Sequence, residues 1–131
     1  MIFHSKNLVQ GVSEWELNTD TQTVRHVNPS TGEQERYVFH ADHIRYHLHY
    51  VEEEKPERLQ KLVDEGKIYR YLDELDTKVT DALNDQTELF MTLSVDYRVA
   101  LATGDLNRVG AIGNMLRLEA QEAVFASMVY A

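Results

Sequence analysis

Along residues 12–17 polar and apolar positions alternate, with Trp15 and Leu17 on one side and Glu14 and Glu16 on the other. That period of two is the mark of a half-buried strand. Residues 23–27 and 35–40 are rich in β-branched and aromatic side chains, which suit a pleated surface. Between these runs lie Asn18-Thr19-Asp20 and Asn28-Pro29-Ser30-Thr31-Gly32, both good turn chemistry. The pattern predicts a short three-strand antiparallel meander. Three strands alone are marginal, so their apolar face should pack on helices.

From Asp42 the period becomes helical. Ile44, Leu48 and Val51 share one face, and Asp42 is the expected N-cap. Pro56 should end this helix or open the next, since it has no amide to donate and disfavours a helical Lys55. Leu59, Leu62 and Val63 mark a second, short helix, with Gly66 suited to its C-terminal cap. In the third helix Ile68, Leu72, Leu75, Val79, Ala82, Gln86, Leu89 and Leu93 step alternately by four and three residues, the spacing of a coiled-coil-like seam. Thr103-Gly104-Asp105 reads as a stop followed by a new cap. The last helix carries Val109, Ile112, Leu116, Ala120 and Ala123 on one face, with Met115, Leu118, Phe125 and Val129 beside it. Such breadth predicts burial on more than one side.

The expected fold is therefore mainly α (α+β): a four-helix bundle-like core with an N-terminal three-strand antiparallel meander. Residues 1–41 form the β appendage and residues 42–131 the helical domain, within a single structural unit. A chain of 131 residues is long enough for one such core.

Composition narrows the function classes. Net charge is −9, from 22 acidic and 13 basic side chains, and no basic cluster is present, which disfavours direct nucleic-acid binding. An acidic chain is repelled by anionic membranes and attracted to basic protein surfaces. There is no cysteine, hence no disulfide framework and no Cys-based zinc site. No run approaches the roughly 20 apolar residues of a membrane span, and the N-terminal stretch lacks the apolar run of a signal peptide. These features predict a cytoplasmic protein.

Three pieces of the chain resemble one family. EGKIYRYLDELD at residues 65–76, GDLNRVGAIGNMLRLEAQEAV at residues 104–124 and the terminal MVYA follow the order found in TnpV proteins. In those proteins a Gly-Lys precedes a Leu/Asp-rich helix, then comes a helix with an internal Asn, then a Tyr-small-residue ending. The resemblance covers about residues 44–131. It implies a small helical accessory protein of a bacterial transposon or related mobile element, with no catalytic residues to carry over.

Two clusters invite a functional reading. His40, His43, His47 and His49 fall close together, and His43 and His47 are spaced to present two imidazoles to one metal ion. The HExxH pattern is absent, since Ile44 follows His43. The plainer alternative is a partly exposed, His-rich helix face that changes charge near neutrality. The second cluster lies on the third helix and just beyond. Asp73, Glu74, Asp76, Asp81, Asp85, Glu88 and Asp96 are opposed only by Lys78, a local net charge of −6 out of −9. Glu74, Asp81, Asp85 and Glu88 follow one flank, the first two about two helical turns apart and the others about one pitch (~5.4 Å) apart. That is comparable to phosphate spacing along a strand. The plainer alternative is a solvated face that keeps the chain soluble. Gly110 and Gly113 share a side of the last helix, where each costs about 1 kcal/mol relative to alanine, so close approach of another helix is expected there. That contact can lie within the chain or across a dimer.

No GxSxG elbow, P-loop or GxGxxG occurs. The sequence therefore predicts a non-enzymatic interaction protein without a cofactor. It is expected to bind another protein with a basic surface, in the sharpest form by occupying the basic channel of a CRISPR nuclease. A metal-dependent enzyme or sensor on His43 and His47 and a structural homodimer built on the last helix are the competing expectations.

Overall fold

The computed structural model describes residues 1–6 and 13–131. The expected strand at residues 12–17 therefore has its Val12 end outside the described residues. An antiparallel sheet in the order β1-β2-β3-β4 is formed by β1 (Ile2–His4), β2 (Glu14–Asn18), β3 (Thr23–Val27) and β4 (Gln34–Val38). Five α-helices follow among the described residues: α1 (Asp42–Glu54), α2 (Pro56–Asp64), α3 (Ile68–Leu93), α4 (Val95–Thr103) and α5 (Leu106–Val124), with a closing π-helical turn at Phe125–Val129. The fold is α+β. No described helix is long and apolar enough to cross a membrane.

The meander has four strands rather than three. Strand β1 is only three residues long, too short for alternation to show, yet it seats Phe3 opposite Leu17 and Leu17 opposite Val24. All three side chains are buried. The turns form as their residues require. Asn18 Oδ1 accepts from the amides of Asp20 and Thr21 at 3.0 and 3.2 Å, and Asn28 Oδ1 from Ser30 at 3.0 Å.

The chain divides into two units, residues 1–76 with Tyr130 and residues 77–129 with Ala131. The boundary lies inside α3 and not at the change of sequence period near residue 41. In the first unit Phe3, Leu17, Val24 and Phe39 join Ile44, Leu48, Val51, Leu59, Val63, Ile68 and Leu72 in one buried cluster. Each large side chain so buried contributes about 1.5–3 kcal/mol. Asp42 is the first residue of α1 and not its cap. The N-cap is Ala41, with no side-chain cap bond, and the Asp42 carboxylate lies 3.4 Å from Arg45. Pro56 opens α2 as its first residue. Gly66, at φ +69°, ends α2 with its amide on the Val63 carbonyl and the Lys67 amide on that of Leu62. Only glycine adopts that left-handed backbone at little cost. Trp15 Nε1 lies 2.8 Å from where a β-carbon on Gly66 would stand. Trp15 itself stacks on His26 at 4.2 Å between ring centroids.

In the second unit the helical pattern is interrupted twice. Ser94 caps α4 by accepting from the Tyr97 amide at 3.2 Å, a break hidden in sequence because Leu93 and Val95 on either side are both apolar. Gly104 (φ +71°) then closes α4, and Asp105 caps α5 by accepting from Arg108. Helix α5 buries Gly113, Leu116, Ala120 and Val124. Met115 and Leu118 are exposed, so this helix is covered along one stripe and not on several sides.

Candidate functional site

The acidic flank of α3 is built by helix periodicity. At about 100° per residue, Glu74, Asp81, Asp85 and Glu88 fall well to one side of the apolar stripe that starts with Ile68 and Leu72. All four are exposed, as is Asp73. Glu74 accepts from Arg70 Nε at 3.0 Å, an exposed pair of small energetic weight. Asp73, Asp81, Asp85 and Glu88 make no ion pair among the described residues. They are thus open to a cationic partner with little desolvation to overcome.

Asp76 does not belong with them. Its Oδ1 lies 2.5 Å from His43 Nε2, a half-buried contact within the first unit. The helical turn that points Glu74 outward turns Asp76 toward α1, and its charge is spent on a neighbour. Asp96, on α4, is exposed.

His43 and His47 are not a surface feature. Both are buried, at 8% and 1% exposure, on the same side of α1 as Ile44 and Leu48. His47 Nε2 lies 2.6 Å from Tyr71 Oη, and the two rings are 5.7 Å apart. Burial raises the Tyr71 phenol above its ordinary value, and the Arg58 guanidinium, 5.4 Å over its ring, partly opposes that. Each imidazole therefore points its Nε2 at a different group on α3. A shared metal ion would need both nitrogens turned to one point. Among the described residues no three His, Cys, Asp or Glu side chains gather as a metal site. His40 and His49 are exposed, with His49 3.6 Å from Glu52. The sequence signal for burial was present: His43 and His47 flank the apolar positions 44, 48 and 51 at helical spacing.

The two glycines of α5 have separate roles. A β-carbon on Gly113 would meet Met91 Cε at 3.6 Å and Tyr97 Cε2 at 3.7 Å, ordinary contact, whereas one on Gly110 would meet nothing within 4 Å. Within the chain, a neighbouring side chain reaches van der Waals distance at Gly113 and not at Gly110. Asn114 is exposed and accepts from Arg117 at 3.1 Å.

A groove that the sequence did not announce opens in the second unit. It encloses about 750 Å³ and is lined by Leu83, Met91, Tyr97 and Leu101, with Arg98 and Arg117 at its polar side. It depends on α3, α4 and α5 meeting across the Ser94 and Gly104 breaks, which no local pattern encodes. Comparison with known protein families, with characterised proteins and with solved structures finds no match for this chain.

Proposed function

We propose that the protein is a non-enzymatic acidic interaction protein that binds a basic surface on another protein through the outer flank of α3. The observation that carries the reading is the run Glu74, Asp81, Asp85 and Glu88 on one exposed flank. A helix bearing carboxylates at turn-like intervals repeats charge much as a nucleic-acid strand does. A partner that handles DNA or RNA is accordingly the class that fits, and the sharpest form is inhibition of a CRISPR nuclease by occupation of its basic channel. With the resemblance to TnpV proteins, the reading places the protein in the bacterial cytoplasm as the product of a mobile element. It takes the helices from α3 onward as a bundle-like scaffold for the acidic flank.

Reversing Glu74, Asp81, Asp85 and Glu88 to lysine tests this directly. All four are exposed, so far-UV circular dichroism should stay unchanged. Pull-down from the native bacterium with mass-spectrometric identification should recover a basic protein on the wild type and lose it on the variant. Recovery of the same partner by both proteins would sink the reading.

A further inference from the structure

The groove bounded by α3, α4 and α5 is built from side chains that helical spacing brings to one side. Leu83 and Met91 stand about two turns apart on α3, and Tyr97 and Leu101 about one turn apart on α4. Buried Gly113 of α5 leaves room behind them: Met91 Cε and Tyr97 Cε2 lie 3.6 and 3.7 Å from where its β-carbon would stand. Leu101 is 53% exposed, and Leu83, Met91 and Tyr97 are half-buried. At about 750 Å³, the groove has the size of a small-molecule site. Its charge is the reverse of its surroundings. From Thr77 onward seven carboxylates outnumber four cations, Lys78, Arg98, Arg108 and Arg117. Two of those four, Arg98 and Arg117, line the groove, and Glu88 is the one carboxylate among the described residues that does.

We propose that this groove binds an aliphatic monocarboxylate, its chain lying on Leu83, Met91, Tyr97 and Leu101 and its carboxylate held by Arg98 and Arg117. The apolar floor calls for a body without polar groups, and the unbranched thioether of Met91 adapts to a flexible chain. The head group follows from charge. Two guanidiniums against the single Glu88 carboxylate leave the lining at +1, which balances one carboxylate and not a dianionic phosphate. Both cations have donors to spare. The Arg98 guanidinium makes no ion pair or hydrogen bond among the described residues. Arg117 commits only Nη1, to Asn114 Oδ1 at 3.1 Å. A guanidinium presents its N–H donors in a planar fork that matches a carboxylate. The site uses none of Glu74, Asp81 and Asp85, so it does not rest on the reading of the acidic flank.

Titration of the isotope-labelled, untagged full chain with octanoate, followed by amide NMR, tests this with no other protein present. Octanoate should bind saturably and one-to-one in the millimolar range or below, with the largest shifts within residues 83–101 and 113–121. The same chain without the charge, 1-octanol, should bind at least about tenfold more weakly. Arg98→Gln and Arg117→Gln, both at exposed positions, should each weaken octanoate binding about tenfold with unchanged circular dichroism. Glu88→Gln, which removes the like charge, should tighten it about two- to fivefold. Absence of saturable binding would overturn the proposal. So would equal affinity for the alcohol, tighter binding of octyl phosphate, indifference to both arginine changes, or shifts centred elsewhere.

Discussion

Replacing Gly66 by alanine should destabilise the first unit far more than the same change at Gly32, although the two backbones are nearly alike. Their φ angles are +69° and +71°, so both substitutions place a β-carbon in the left-handed region, at about 1 kcal/mol each. Beyond that the sites differ. At Gly32 the new carbon meets nothing within 4 Å, while at Gly66 it would stand 2.8 Å from Trp15 Nε1, with Trp15 Cδ1 and Cε2 at 3.4 and 3.6 Å. An indole is rigid and its plane is held against His26, with only 17° between the rings, so it must move as a whole. Overpacking of this kind costs about 1–3 kcal/mol, which makes the expected loss about 3 kcal/mol for Gly66→Ala against about 1 for Gly32→Ala. With a urea slope of about 1.5 kcal/mol/M, the unfolding midpoints should fall by about 2 M and by less than about 1 M. Trp15 is the sole tryptophan, so its emission reports the displacement: Gly66→Ala should change the folded-state spectrum and Gly32→Ala should not. Equal midpoint losses with an unaltered spectrum would refute the packing argument. Pairing Gly66→Ala with Trp15→Leu should return its cost to about 1 kcal/mol, the backbone share alone.

Further outcomes follow from the same geometry. Gly110→Ala should stabilise the chain by about 0.5–1 kcal/mol in thermal unfolding, because the position is helical and open and glycine is the poorer helix former; a loss of stability would mean that something does approach it. Leu72→Ala should cost about 2–5 kcal/mol as a core truncation, whereas Leu93→Ala, outside the folded chain's core, should stay within about 0.5 kcal/mol at concentrations where the chain is monomeric. The alkaline limb of stability should depend on Tyr71. Burial raises its phenol, so the folded state holds a proton that the unfolded state releases near its ordinary value of about 10. That contribution is complete below the unfolded value and is lost as pH rises through the higher folded one. Urea midpoints across this range should therefore fall less steeply in Tyr71→Phe than in the wild type, and equal slopes would remove Tyr71 from the account.

How much of this protein was legible in its sequence varies element by element. The Gly66 and Gly104 stops, the opening of α2 at Pro56 and the Asp105 cap were readable because each rests on the conformational limits of one residue and a bond to a near neighbour. The exposed positions on α3 were readable as well, since helical periodicity alone separates Glu74, Asp81 and Asp85 from the Ile68–Leu72 stripe. Strand β1 was not, because three residues carry too little alternation and its pairing with β2 is made across a distance in sequence. Nor was the break at Ser94, where apolar neighbours let the helical period run on.

Local chain chemistry, in short reach of each residue, thus determined where helices begin and stop and which of their sides shun water. Only the tertiary structure decided what each side meets. Asp76 looked like one more carboxylate of the acidic run until His43, 33 residues away, was folded against it. His43 and His47 looked like a metal pair, yet their Nε2 atoms meet Asp76 and Tyr71. The stripe of α3 looked uniform, yet it is covered at Ile68 and bare at Leu93. Spacing in sequence specifies a direction around a helix axis, and it carries no information about whether another element arrives there.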